Sequence, residues 1–276
     1  MNVGRRFRRY CKEIRFAFTV TVNVRSGLAL MCATVMFHVL NALGLNTGFS
    51  SAHCYQIRLA EREMDLWLRT KSGDLFVFYE VFLDCCYSLP KQFCGGVANI
   101  VDLGAHVGLV SLFYLQYFPR AQIVCVEGNP VNRRLLRRNL LAFQDQVHIV
   151  EGAVSSTPGV VLFDSADRSW EGHMSQDARH GQPTVSYGMH EILAMCGLPT
   201  VNLLKIDIEG AESEVLSTRN EWLRSVDLII IELHGEYSVE NLKRDVEPLG
   251  FDVLGPDAER GNAMIMAVAK RSIGSS

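Results

Sequence analysis

The sequence predicts an α/β fold built on a mostly parallel sheet with helices on both faces. Three observations carry this. From residue 99 onward, short apolar runs alternate with helical segments, the pattern of repeated strand–helix–strand units. The runs are apolar almost without interruption, as strands buried on both faces must be. The first run passes into its helix through "DLGAHVG", a turn with almost no side-chain bulk.

The elements follow in chain order. Residues 1–50 read as a basic and apolar helical arm, in which "RRFRRYCKEIR" precedes "SGLALMCATVMFHVLNALGL". The second stretch has about the length of a membrane span, but Thr34, His38 and Asn41 interrupt it. Three arrangements are open: a helix packed on the domain, which is preferred, a basic amphipathic element lying on a membrane surface, or a span. No small-residue cleavage site of a secretory leader follows. Residues 51–98 read as a preface of two short strands and a helix, with a turn at Lys71 to Asp74. Residues 99–271 form the main domain. Its strands are "NIVDLG", "QIVCVEG", "VHIVEGAV", "VNLLKIDIEG" and "LIIIELHG", and "FDVLG" with "NAMIMAVAK" forms an antiparallel hairpin at the sheet edge.

Two segments stand apart. Arg133, Arg134, Arg137 and Arg138 fall on one side of a helix whose other side is Val131, Leu135 and Leu136, which reads as a solvated face. Residues 163–187 are polar, rich in turn formers and too long for a connector, which suggests a substrate loop or lid.

Composition excludes several functions. The formal net charge is −3, yet residues 1–25 carry seven Arg or Lys against Glu13 alone, so the arm is +6 and the remainder −9. Such a body offers no basic face, and no nucleic-acid partner is expected. The eight cysteines, at 11, 32, 54, 85, 86, 94, 125 and 196, include no CxxC pair. They read as reduced thiols of a cytoplasmic protein rather than disulfides or a zinc site.

Ligands of open parallel sheets bind beyond the carboxyl ends of the strands, where strand order reverses. At the first such end, Gly104 and Gly108 let backbone approach a ligand and leave helix-start amides free. The pattern is D-x-G-x-x-x-G and lacks the G-x-G-x-x-G of a dinucleotide site. Glu127 closes the second strand, where an acid accepts hydrogen bonds from both hydroxyls of a ribose. The fourth strand ends in Asp207 and Glu209, two residues apart, ahead of Glu212, and the fifth in Glu232 and His234. These carboxylates and the imidazole are expected to converge.

The motifs "VDLGAHVGLVS", "VEGNP", "EGAVSS", "LLKIDIEGAE" and "IIIELHG", with "GDLFVFYEVF" upstream, together resemble the FkbM family of S-adenosylmethionine-dependent methyltransferases over about residues 55–270. The resemblance implies a class I methyltransferase (Rossmann-like) fold with a seven-stranded, mostly parallel sheet. It also implies S-adenosyl-L-methionine as cofactor and O-methylation of a hydroxyl on a saccharide, glycolipid or polyketide-like metabolite. By likeness, Gly104, Ala105 and Gly108 line the methionine end, Glu127 holds the ribose, and Ala153 and Val154 flank the adenine. His106, Gly128, Asn129 and Asp207 complete the cofactor set, and Asp102 orients the loop or the cofactor's ammonium. The family usually has asparagine at His106 and proline at Gly128.

A hydroxyl acceptor must lose its proton. His234 is the first candidate base, Asp207 the alternative, and Glu209 belongs to the same catalytic group. Asp207 with Glu232 would hold Mg²⁺ if the reaction is metal-dependent. His173, in the lid-like stretch, is a weaker candidate. No N/D-P-P-Y/F turn follows the fourth strand, which argues against nucleobase amines. The expected partners are a small-molecule or glycan acceptor and, through residues 1–45, the inner face of a membrane. The alternatives are an NAD(P)-dependent oxidoreductase and a non-catalytic, membrane-attached scaffold that keeps the cofactor pocket.

Overall fold

The computed structural model describes residues 3–44, 51–70, 73–164, 173–174, 182–255 and 264–270. Helices α1 (Val3–Val20) and α2 (Val24–Ala42) open the chain, followed by the hairpin β1 (Ala52–Leu59) and β2 (Arg62–Arg69) and by α3 (Asp74–Phe82). The body then runs β3 (Asn99–Leu103), α4 (Leu109–Tyr117), β4 (Gln122–Glu127), α5 (Pro130–Asn139), β5 (Val147–Glu151), β6 (Ala153–Val154), β7 (Gly159–Asp164) and β8 (His173–Met174). It continues with β9 (Gln182–Tyr187), α6 (Met189–Met195), β10 (Val201–Ile206), α7 (Glu212–Ser217), β11 (Val226–Ile231), α8 (Val239–Val246), β12 (Phe251–Leu254) and β13 (Ile265–Ala269).

Seven strands pair in the order β12-β13-β11-β10-β3-β4-β5. All are parallel except β13, which lies antiparallel between β11 and β12. The predicted hairpin is therefore present, with its last strand inside the sheet and β12 at the edge. Side chains alternate along a strand, so consecutive residues enter different layers. Ile100, Ile123, Leu203 and Leu228 pack into one core, and Val101, Val124, Leu204 and Ile229 into the other. This double burial is why the runs read as unbroken apolar segments. From β3 the chain moves outward to β4 and β5 and returns on the other side as β10, so strand order reverses between β3 and β10.

The preface is anchored on this body by a buried amide. Asn139 of α5 accepts from the Trp67 N–H (2.8 Å), donates to the Trp67 carbonyl (3.1 Å) and donates to Val107 (2.8 Å). One side chain thus ties β2 to α5 and to the loop after β3. The arm packs as an antiparallel helical hairpin, with His38 Nε2 2.5 Å from Glu13 and its ring 4.2 Å from that of Tyr10. On the domain side, the Thr34 hydroxyl meets Tyr79 of α3 at 2.6 Å, and Ser26 accepts from the Gln56 amide of β1.

Two expectations change in detail. On α5, Val131 is 42 % exposed, and the buried face consists of Leu135 and Leu136 with Asn132 and Asn139. Its arginines do more than face solvent, since Arg133 and Arg137 pair with Glu151 and Arg138 lies over the Trp67 ring. The lid-like stretch is bounded by an antiparallel ladder of β7 with β9, part of a four-stranded sheet β6-β9-β7-β8. Residues 165–172 and 175–181 lie outside the described residues, as does the side chain of His173. All eight cysteines are free thiols.

Candidate active site

The loop after β3 turns at Gly104 (φ +76) and enters α4 through Gly108 (φ +88), conformations that side-chain-bearing residues adopt at a cost. A Cβ on Gly104 would meet the Asp207 carbonyl oxygen at 1.9 Å, and one on Gly108 would meet Leu136 at 2.9 Å. The expectation that these glycines clear room for a ligand is therefore corrected at Gly108 and gains a second reason at Gly104. They clear the approach of the protein's own backbone across the switch point and of the α5 leucines. Gly104, Ala105 and His106 line the cavity beyond the loop, while Gly108 is turned into the helix packing.

Glu127 ends β4 and is 5 % exposed. One carboxylate oxygen accepts from the His106 amide and the other from the Asn129 amide, each at 2.7 Å. Each oxygen keeps a second lone pair for a hydroxyl donor. Burial pushes the carboxyl upward, and the two amide hydrogen bonds oppose it. Asn129, expected in the cofactor set, instead caps α5, its side chain accepting from the Val131 amide ahead of Pro130. Gly128, Ala153 and Val154 lie on the cavity wall.

Asp102 does not reach the cavity. It is fully buried beneath the loop, accepts from Ser111 (2.7 Å) and faces Lys205 Nζ at 3.2 Å. Lys205, 1 % exposed, also donates to the Leu103 and Gly104 carbonyls and lies 3.5 Å from Asp207. Burial disfavours the ammonium, but the Asp102 and Asp207 carboxylates outweigh it and hold the lysine charged. Sequence reading passed over Lys205, although a lysine inside the apolar run "VNLLKI" was a usable signal. A charge buried in a central strand must find partners. Asp207 also accepts from Tyr87, 3.1 Å away.

The carboxyl ends of β10 and β11 bring the expected acids together. Glu209 sits in a left-handed turn (φ +51) beside Gly210. The His234 ring donates or accepts at Nδ1 with Glu212 (2.8 Å), and its Nε2 is 3.6 Å from Glu209, 3.9 Å from Asp207 and 3.9 Å from Glu232. Burial lowers the basicity of His234, but the Glu212 hydrogen bond and the facing carboxylates reverse this and raise it to about 9. His234 is thus an imidazolium at neutral pH, which corrects the expectation of a base poised near neutrality. Burial raises the carboxyl of Glu209 to about 7 and that of Glu232 above its ordinary range. Among the described residues, Asp207, Glu232 and His234 each present one ligand atom within 4.8 Å of the others, and the imidazole could ligate a cation only when deprotonated.

The cavity bounded by these elements has a volume of about 870 Å³, ample for a nucleotide-sized cofactor together with a small acceptor. Elements outside the main domain complete it. Glu80 of α3 is raised to about 7 by burial and by the facing Glu232. Arg9 and Lys12 of α1 stand on its wall, with Arg9 paired to Asp84 and Glu13. Arg69 and Asp74 form a buried pair (2.8 Å) against His106, whose Nε2 is 3.4 Å from Asp74. Arg69 also donates to Asn132. Arg9 and Lys12 carried no pattern that would have marked them, and Glu80 falls within "GDLFVFYEVF", a stretch noted for its family resemblance and not for a place at the cavity.

A reversed-order sheet of this topology, with an acid ending β4 and acids ending β10 and β11 around one crevice, is the arrangement of a class I methyltransferase fold. The model of the family described as "Methyltransferase FkbM domain" matches residues 102–253, more than half of the chain, and the chain belongs to that family. The oxidoreductase alternative falls with this assignment. Among curated relatives, "Methyltransferase sdnD" of Sordaria araneosa is 28% identical over 226 residues, 67% of this chain and 84% of that protein. "2-O-methyltransferase NoeI" of Sinorhizobium fredii is 27% identical over 54% of this chain and 67% of its own length. "Hexuronic acid methyltransferase AglP" of Haloferax volcanii is 24% identical over 48% of this chain and 54% of its own.

Proposed function

We propose that the protein transfers a methyl group from S-adenosyl-L-methionine to a hydroxyl oxygen of a saccharide or saccharide-bearing metabolite. The observation that carries this reading is the set Asp207, Glu209 and Glu232 at the wall of the cavity that also holds Glu127, with His234 standing behind these carboxylates at 3.6–3.9 Å. A buried, doubly anchored carboxylate fits a ribose diol, and a set of hydrogen-bonding acids fits a polyol acceptor. Relatives named as a 2-O-methyltransferase and as a hexuronic acid methyltransferase support oxygen and sugar acceptors.

When bound, the cofactor supplies an electrophilic sulfonium methyl. The chain's own residues would do the rest. Glu127 orients the ribose, and Gly104 to His106 border the amino-acid end. Lys205 neutralises Asp102 and Asp207 and so fixes the two strand ends that flank the cofactor. Glu209, with a carboxyl near neutrality, takes the acceptor's hydroxyl proton as the C–O bond forms. The His234 imidazolium, held by Glu212, offsets the negative charge that gathers there. Asp207 and Glu232 would alternatively hold Mg²⁺ and present a diol to the methyl, with His234 joining them only in its neutral form.

Incubation with radiolabelled S-adenosyl-L-methionine and a panel of glycans and glycolipids, with and without EDTA, tests the proposal. Alkali-stable methyl ethers are expected on the sugar, and loss of transfer in EDTA would assign the cation role. Cofactor binding with no transfer to any hydroxyl, or transfer only to amines, overturns it.

A further inference from the structure

We propose that α2 and the flanking basic residues form a docking face for an anionic lipid bilayer, with the helix lying in the plane of the surface. The inference is independent of the acceptor. Helix α2 has two unlike sides. One side, with Ser26, Leu30, Ala33, Thr34 and Phe37, is buried on the body. The opposite arc is apolar and open to solvent: Val24 is 70% exposed, Leu28 46%, Val35 47%, Met36 40%, Val39 50% and Leu43 64%. Between residues 24 and 44 the sequence contains one formal charge, Arg25. Scattered exposed apolar residues are ordinary, but an ordered row of five along one helix, continued by Leu43 at its C-cap, marks an interaction surface.

Charge selects the occupant. Arg8, Lys12 and Arg15 are exposed on α1, which packs alongside, and Arg25 is exposed in the first turn of α2. With residues 1–25 at +6 and the remainder at −9, an anionic surface attracts this end and repels the rest, which fixes orientation as well as affinity. A second copy would bring two basic ends together. Helix α2 is long and apolar enough to cross a membrane by length and composition. Its inner side, however, is bound to the body through Thr34 with Tyr79 and Ser26 with Gln56, and His38 is bound to the buried Glu13 of α1. Crossing would strip these groups of their partners in hydrocarbon, whereas lying flat leaves them intact.

The test is flotation of the full chain with phosphatidylcholine vesicles made with and without phosphatidylserine. The wild type is expected to float with the anionic vesicles only and to be released by high salt. V35D/V39D, and separately R8E/R15E, should each weaken partitioning at least about tenfold, with thermal unfolding unchanged because these side chains are exposed. Failure to float, or undiminished flotation of both variants, overturns the proposal. So does retention of wild-type protein in carbonate-washed membranes, which would mean a span. Concentration-dependent dimerisation abolished by V35D/V39D, without vesicle binding, would assign the face to a second copy and equally overturn it.

Discussion

Gly104→Ala is the sharpest probe of the cofactor crevice. The new methyl would start 1.9 Å from the Asp207 carbonyl oxygen. That atom is backbone, so the two strand ends must separate by about 1 Å or more to reach ordinary contact. The left-handed φ of +76 adds roughly 1 kcal/mol for any residue with a Cβ. Separation also loosens the hydrogen bond from Tyr87 to Asp207 and the Lys205 contacts with the Gly104 carbonyl and Asp207, together worth about 2 kcal/mol or more. A loss of about 3 kcal/mol lowers Tm by roughly 6–12 °C for a domain of this size. Gly197→Ala is the control, since Gly197 shares a positive φ (+64) but has nothing within 4 Å of a Cβ. It should cost only the conformational part. Differential scanning fluorimetry and isothermal titration with S-adenosylhomocysteine read both effects. If Gly104→Ala unfolds no earlier than Gly197→Ala and retains wild-type affinity, the packing account of this glycine is wrong.

Three further outcomes are expected. Glu127→Gln puts an amide N–H against either the His106 or the Asn129 amide and should weaken cofactor binding about 10–100-fold by calorimetry; unchanged affinity would remove Glu127 from the ribose. Asp74 is favoured in its neutral form by burial, but His106 and Arg69 outweigh this and hold its carboxyl below the usual range. Its stabilising contribution is therefore full above the ordinary carboxylate pKa of about 4 and declines as pH falls below it. Asp74→Asn should cost about 3–5 kcal/mol near neutrality and flatten that acid limb in urea titrations. For His234, raised to about 9, the sign is opposite. Its stabilisation is complete below about pH 6.5 and disappears as pH rises through about 9. Glu212→Gln should shift that alkaline decline toward neutrality, and an NMR titration of the imidazole would expose any failure to move.

The contrast between what pattern revealed and what it hid has a physical basis. Strands β3, β4, β10 and β11 were legible because both of their faces are buried, which forces unbroken apolar runs. Glu127, Asp207, Glu209 and Glu232 were legible because strand ends at the switch point are fixed by those runs. Gly108 and Asn129 were assigned to a ligand, and Asp102 to either the loop or the cofactor's ammonium, because spacing reports position along the chain, not the direction a group faces. Asp102 turned inward to Lys205, and Asn129 turned to the α5 amides. Glu80, Tyr87 and the Arg69–Asp74 pair come from the preface, where no periodicity links them to the crevice. The charge state of His234 was equally hidden, since it depends on Glu212 lying within 2.8 Å of the ring.

The position of β13 bears on how the gene can be cut. Residues 265–269 are threaded between β11 and β12, beyond residue 253, where the match to the family model ends. An expression fragment bounded by that similarity would leave the backbone amides and carbonyls of β11 unsatisfied along one side, inviting intermolecular pairing. The bounds of the family-model match and of mechanical integrity differ in this molecule, and a well-behaved fragment requires the wider ones.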